Sequence, residues 1–326
     1  MHIPDGFISG PINTLGAAAS IAAVGVSAAK ASAEVRANPQ RMPLLATTGA
    51  FVFAAQMLNF PIGGGTSGHF MGGALVAALL GPWSAILAMS LVLTIQCLGF
   101  ADGGLTALGT NIFNMGLIGG LGAYLVMRVL RPILPAGSGG FIATAGIASW
   151  VSIVLAALAC SLELAFSGTS PLELVLPAML SAHAVIGIGE ALITAAVISA
   201  VLSARPDIFA AWAKLNGGEP TESYRTGALS LALGGLILAL LLGVFLSPFA
   251  SAFPDGLEKV AEVKGFLSAS DGSQSWTASP LPDYSTPGVG AEGLSTSLAG
   301  LIGTLAVFLT GFIAIKLAGR LRRERA

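Results

Sequence analysis

Nine apolar runs dominate this 326-residue chain and leave it few folds. They cover about residues 12–31, 43–61, 67–81, 83–100, 106–128, 140–165, 174–203, 226–248 and 296–318. A bilayer core of about 30 Å takes roughly 20 apolar residues per helix. Charge argues the same way. Only 10% of residues are charged and the mean hydropathy is +0.84, against about 25% charged in ordinary soluble domains. Fifteen basic and sixteen acidic side chains cannot clothe a water-soluble surface of this size. That excludes an ordinary cytosolic enzyme, a nucleic-acid binder and a disordered regulator. The net charge of -1 offers no global field to an anionic polymer. The 43 glycines suit helices that approach closely in lipid. The expected class is an all-α polytopic membrane protein.

Basic residues orient the spans, because Lys and Arg collect on the cytoplasmic side. With nine spans and the N-terminus outside, the C-terminus is cytoplasmic. Lys259 and Lys264 are then the two basic residues left outside, of fifteen. The same pattern arises if 67–81 and 83–100 dip in and return without crossing. MHIPDGF has no Lys or Arg, so no cleavable signal peptide is expected and the amine of Met1 lies on the outer face. Polar residues 206–225 read as a cytoplasmic linker between a seven-span domain, 1–205, and a two-span unit, 226–326. That unit carries an outer loop at about 249–295. FPDGLEKVAEV reads as a turn into a short amphipathic helix, and the remainder as loop. PDG occurs at 4–6 and 254–256, which common turns explain. Cys97 and Cys160 lie in apolar runs as small core residues.

Three histidines carry the chemistry. His2 stands beside an α-amine. A metal there can bind the Met1 amine, the deprotonated amide of His2 and its Nδ1, closing five- and six-membered rings. An imidazole from elsewhere completes a square, which suits Ni(II) and Cu(II). The alternative is an ordinary outer-face histidine. His69 follows the glycine run 63–65 in GGGTSGHFMGG. Thr66 or Ser67 is expected to cap the next helix, placing His69 in its first turn at the outer mouth. His183 and Glu190 share one helix face by their spacing. They fit residues that orient a ligand or a structural pair. Gln56, Asn59, Asn111 and Asn114 fit hydrogen bonds between helices; Asn59 is also placed near the candidate ligands. Glu163 is expected to face water. Neither GxxxxGK[ST] nor HExxH occurs, so uphill transport would draw on an ion gradient or on partner subunits.

The opening MHIPDGF, the loop GGGTSGHFMGG and the segment HAVIGIGEALIT resemble the substrate-binding (S) component of cobalt/nickel energy-coupling factor (ECF) transporters, the CbiM/NikM family, over roughly residues 1–205. The two-span unit with FPDGLEKVAE is similar to the family's small N component, or PDGLE domain. The resemblance implies a seven-helix S-component fold plus two helices, in the cell (inner) membrane of a prokaryote. It implies that Met1, His2 and His69 bind Ni2+ or Co2+ as transported substrate, with no cofactor. It implies a transmembrane coupling (T/Q) subunit and two cytoplasmic ATPase (O) subunits as partners, so the chain itself is not an enzyme. It assigns no ligand role to His183 or Glu190. Nickel and cobalt stay open, although planar nitrogen ligation leans to Ni(II). Two other classes compete. A stand-alone gradient-driven permease requires charged relay residues in several spans, and only Glu190 is clearly one. An intramembrane enzyme requires a nucleophile with a base or a closed metal set, and no such motif occurs.

Overall fold

The computed structural model describes residues 1–39, 41–204 and 228–321. Helices run in the order α1 (Gly10–Ala37), α2 (Arg41–Gln56), α3 (Gly73–Leu80), α4 (Pro82–Phe100), α5 (Leu108–Leu130), α6 (Ser138–Phe166) and α7 (Leu172–Ala204). Then come α8 (Ala228–Leu241, continuing as distorted helix to Phe249), α9 (Gly256–Lys264) and α10 (Glu292–Leu321). Strands β1 (Phe60–Gly63) and β2 (Thr66–Gly68) form a small antiparallel hairpin between α2 and α3. The linker 206–225 lies outside the described residues.

Seven helices among the described residues are long and apolar enough to cross a membrane: α1, α4, α5, α6, α7, α8 and α10. The runs 43–61 and 67–81 depart from the nine-span expectation. The first is helical only to Gln56 and then enters the hairpin. The second holds an eight-residue helix, α3. Four residues, His69–Gly72, precede α3 without helical structure, and extended chain covers about 3.3 Å per residue against about 1.5 Å in a helix. The segment therefore still travels far. The Arg41 guanidinium, at the start of α2, donates to Leu80 O at the end of α3. At the other end of α2, Gln56 Nε2 donates to Met71 O, 2.7 Å. The stretch 71–80 thus runs the length of α2. Gly81, at φ +86°, and Pro82 then turn the chain straight into α4, with proline at a helix start where its missing N–H costs nothing.

The two C-terminal helices pack on the bundle rather than standing apart. Both α8 and α10 lie along α2, and Thr47 Oγ1 donates to Ala232 O, 3.0 Å. They also meet each other at Gly243 and Gly300. A Cβ on Gly300 would lie 1.8 Å from Gly243 O, so only glycine permits this approach. Close backbone packing of this kind is what holds helices together in lipid. Cys97 and Cys160 are buried and free. Residues Ile112–Gly122 of α5 are π-helical, a form often found near functional sites. Just before this stretch, Asn111 faces the N-terminal segment.

Candidate functional site

The first nine residues plug the mouth of the bundle. Ile3 and Phe7 are fully buried. Asn111 clamps Ile3 on both sides: Ile3 N donates to its Oδ1, 2.9 Å, and its Nδ2 donates to Ile3 O, 3.0 Å. Asp5 accepts from Thr106 N at 2.8 Å and Thr106 Oγ1 at 2.5 Å, and from Ser275 N of the outer loop at 2.8 Å. The second residue of a chain is normally frayed. Here these bonds fix it.

The terminus thereby meets His69. The Met1 amine stands 2.5 Å from His69 Nε2. The rings of His2 and His69 stack with centroids 5.1 Å apart and planes 20° apart. His69 Nδ1 lies 3.1 Å from Phe70 O. That bond takes the ring proton and leaves the Nε2 lone pair facing the amine. His2 Nε2 lies 3.2 Å from Gln96 Oε1. A chelate with the amide requires the tautomer that donates from Nε2 to Gln96 and leaves Nδ1 as the lone-pair nitrogen. Nδ1 also stands 3.2 Å from Asp102 Oδ1, a contact that an incoming metal must displace. The His2 amide N–H donates to no acceptor among the described residues.

This set can do one thing well. Metal–nitrogen bonds of about 2.0 Å put neighbouring nitrogens of a square about 2.8 Å apart. The amine and His69 Nε2 stand close to that separation. No group of three or more His, Cys, Asp or Glu side chains among the described residues is arranged as a metal site; the set gathered here adds the terminal amine and a main-chain nitrogen to two imidazoles.

The environment favours neutral, ligating imidazoles. Burial pushes the His2 pKa below its ordinary value, with Asp102 opposing. Burial and then the N-terminal amine push His69 well below its own. Asp255, which the sequence did not single out, completes the charge balance. Its Oδ2 accepts from the Met1 amine, 2.7 Å, and lies 3.8 Å from His69 Nε2. Its Oδ1 caps α9 by accepting from Glu258 N, 2.9 Å. Burial raises its pKa, but the N-terminal ammonium, His69 and the Glu258 N–H outweigh that and hold it well below the carboxylate range. The second PDG, set aside as a common turn, was the available signal.

The hairpin corrects one expectation. His69 is not in the first turn of a helix. Gly63–Gly65 reverse the chain, β2 follows, and α3 starts only at Gly73. Ser67 does not cap α3. Its N donates to Pro254 O at 2.9 Å, and its Oγ to Phe253 O at 2.7 Å. Glu190 instead holds the link ahead of α3, accepting from Met71 N at 2.6 Å and Gly72 N at 2.9 Å. Glu190 is fully buried and acts as the anchor of the link that carries His69. It touches no ligand nitrogen.

His183 lies one layer below. Its Nδ1 is 2.8 Å from Met179 O, and it lines a small cavity behind Met1 and His69. A Cβ on Gly256 would stand 3.0 Å from His183 Cε1 and 2.7 Å from Ile186 Cδ1, so glycine lets the outer loop seat on α7. Asn59 O accepts from Ser251 N, 2.8 Å, and its side chain lines a larger outer cavity. Gln56 and Asn111 make the bonds between segments expected of them. Asn114 Nδ2 donates to Glu163 Oε2, 2.7 Å, so Glu163 is bound inside the bundle rather than left to water.

Gln96 was also missed, since a glutamine in an apolar helix gives no sign of which side chain it meets. Gln96→Leu removes the acceptor that favours the chelating tautomer of His2 over the one that donates to Asp102, and metal affinity is expected to fall about 10–100-fold. Gln96→Glu keeps an acceptor and should lose less. Calorimetric titration of both variants checks this.

The chain is similar to known proteins along nearly its whole length. The family model described as the cobalt uptake substrate-specific transmembrane region, CbiM, matches residues 2–208. The PDGLE domain model matches residues 229–320. A fused nickel transport protein NikMN from Rhodobacter capsulatus is 31% identical over 333 residues, covering 93% of this chain and 94% of the relative. A NikMN relative from Archaeoglobus fulgidus is 36% identical over 321 residues, covering 98% of this chain and 99% of the relative. The crystal structure of a truncated transition metal transporter aligns with a TM-score of 0.55 at 35% identity, covering 62% of this chain and 99% of that one. With seven membrane-length helices and both family matches in one sequence, the chain belongs to the CbiM family of multi-pass membrane proteins and carries a PDGLE domain behind the CbiM region.

Proposed function

We propose that this chain captures Ni2+ or Co2+ at the outer face as the substrate-specific subunit of an ATP-driven, ECF-type uptake transporter. The observation that carries the reading is the meeting of Met1, His2 and His69. The Met1 amine, the His2 amide and Nδ1, and His69 Nε2 form the square. Asp255 remains beside it and offsets the positive charge of the loaded site. Such nitrogen ligands reject Mg(II) and Ca(II), which prefer oxygen. Two relatives that match nearly the full chain carry nickel names, which favours Ni2+ as the substrate.

In this reading residues 1–205 form the metal-binding domain, 206–225 a cytoplasmic linker and 226–326 the PDGLE unit. The N-terminus is outside. Lys30, Arg36 and Arg41 support that orientation, because they cluster at the ends of α1 and α2 remote from Met1. The ATPases and the T/Q subunit supply the energy in the cell membrane of a prokaryote, and this chain is not itself an enzyme. A gradient-driven permease is less well supported, since Glu190 is held by two main-chain N–H groups and is not free to relay ions.

Titration of purified protein with Ni(II), Co(II), Zn(II) and Cu(II) tests the reading. Submicromolar Ni(II) or Co(II) binding with a square-planar spectrum is the expected result, and binding no tighter than that of a His2→Ala variant defeats it. The pH dependence has a stated sign. Metal displaces protons from the amine and the amide, so affinity falls as pH falls. Both imidazoles have lowered pKa values. Their protonation therefore adds to the loss only below the ordinary histidine value of about 6.5. A distinct loss centred there would mean that the imidazoles titrate as free histidines. Co-purification with the T/Q subunit and the ATPases tests the partners.

A further inference from the structure

Asp102 stands in the seat that the metal needs. Its Oδ1 lies 3.2 Å from His2 Nδ1, the chelating nitrogen. Its Oδ2 accepts from the Tyr284 hydroxyl of the outer loop, 2.5 Å. One carboxylate therefore joins a ligand residue to the PDGLE domain. Burial and this carboxylate push the Tyr284 pKa well above its ordinary value, so the hydroxyl remains a donor. The Tyr284 ring stacks on Phe100 at the end of α4, with centroids 4.8 Å and planes 24° apart, and packs against Phe53 at 6.2 Å. Leu281 N donates to Gly99 O, 3.0 Å, and Trp276 Nε1 to Leu98 O, 2.8 Å. The loop thus closes on the last carbonyls of α4, which no helical N–H serves. Asp283 and Tyr284 both take left-handed backbone, at φ +50° and +56°. That form is costly for a residue with a side chain and persists only where the surroundings enforce it.

The empty site has two ways to place the His2 proton. Gln96 faces Nε2, and a carboxamide serves either form, accepting through its oxygen or, turned over, donating through its nitrogen. Gln96 is fully buried and its Nε2 has no partner among the described residues, so no second side-chain bond fixes its orientation. Asp102 offers no such choice. A carboxylate only accepts, and a hydrogen bond to a charged acceptor is about twice as strong as one to a neutral acceptor. The proton is therefore drawn to Nδ1, the form that cannot chelate.

We propose that Tyr284 is a positioning residue for the metal site: it holds Asp102 against His2 Nδ1 and keeps the empty site in the non-chelating form until a metal displaces the carboxylate. What stabilises Asp102 on His2 weakens metal on His2 by the same factor. The latch therefore sets a threshold for loading, and it assists release by offering Nδ1 another partner. Thr286 N donates to Ser295 Oγ, 2.6 Å, in the first turn of α10, so the latch is tied to a membrane helix. The inference rests on the chelate reading, and the two fail in different ways.

The test uses full-length protein and Ni(II) alone. Tyr284→Phe removes the hydroxyl and keeps the ring on Phe100, so thermal stability should stay close to that of the wild type. Ni(II) affinity should rise about tenfold, the order expected for a hydrogen bond to a charged group. NMR of the histidine ring nitrogens locates the proton, and His2→Ala protein identifies the His2 signals. In metal-free wild type the proton should sit on His2 Nδ1, and in Tyr284→Phe it should move to Nε2. A His2 proton on Nε2 in the wild type overturns the proposal. So does a Tyr284→Phe protein that binds Ni(II) no more tightly than the wild type. If Tyr284 only braced the loop, stability and affinity would fall together and the tautomer would stay. Failure of the chelate reading instead appears as Ni(II) affinity retained by His2→Ala.

Discussion

His2→Ala should lower Ni(II) or Co(II) affinity by about a thousandfold or more. So should an extension of several residues before Met1. His2→Ala removes the imidazole that closes the six-membered ring, while the extension moves the amine away from the fixed position that Ile3, Asn111 and Asp5 give it. Ligands held in one chelate gain an intramolecular advantage, with effective molarities that reach about 10⁵ M and above. Losing one should therefore cost far more than losing a lone ligand. His69→Ala removes a single imidazole and should cost about tenfold to a hundredfold by comparison. A one-residue insertion is a poor test, because amine, two amides and imidazole then close a different all-nitrogen square. Calorimetry with competing chelators reads all three variants. An extended N-terminus that binds like the wild type would remove the amine from the ligand set.

Glu190→Leu is expected to have the second largest effect. It leaves Met71 N and Gly72 N buried without an acceptor, at about 1–3 kcal/mol each. The link between β2 and α3 should then shift and take His69 with it. Metal affinity should fall about a hundredfold, because two unpaired groups of that cost correspond to a factor of this order or more. Thermal stability in detergent should drop as well. Glu190→Gln retains one carbonyl oxygen and should lose roughly half as much in free energy. The comparison also separates two roles for this carboxylate. If Glu190 carried a coupling ion, Glu190→Gln would bind metal normally and fail to transport it. If it anchors the link, affinity and stability fall together.

The same residues show what could be read in advance. Apolar runs announced the membrane helices because hydropathy is a local property of the chain. The helix from Gly256 was legible for a similar reason: Asp255 is a good N-cap, Gly265 takes the left-handed turn that ends it, and Leu257, Val260 and Ala261 form one buried face. The pairing of His2 with an adjacent amine was legible because chelate rings involve only neighbouring atoms. The hairpin was not legible. Thr66 and Ser67 have the chemistry of helix caps, but Phe253 O and Pro254 O claim Ser67 from more than 180 residues away. Segment 67–81 misled for the same reason. Its composition is that of a span, while Glu190 holds Met71 and Gly72 in a non-helical link.

The roles of Asp255, Gln96 and Glu163 divide along this line. Their residue types were in view from the start, but a carboxylate or a carboxamide is defined by the donor that reaches it. Asp255 meets Met1 across 254 residues and Gln96 meets His2 across 94. Class, seven of the nine span positions and the pairing of the Met1 amine with His2 follow from covalent neighbours and short-range hydropathy. The approach of His69, the charge of Asp255 beside it and the loop that covers them follow from packing. Hydrogen bonds and ion pairs act over a few ångströms in space, with no regard for separation along the chain.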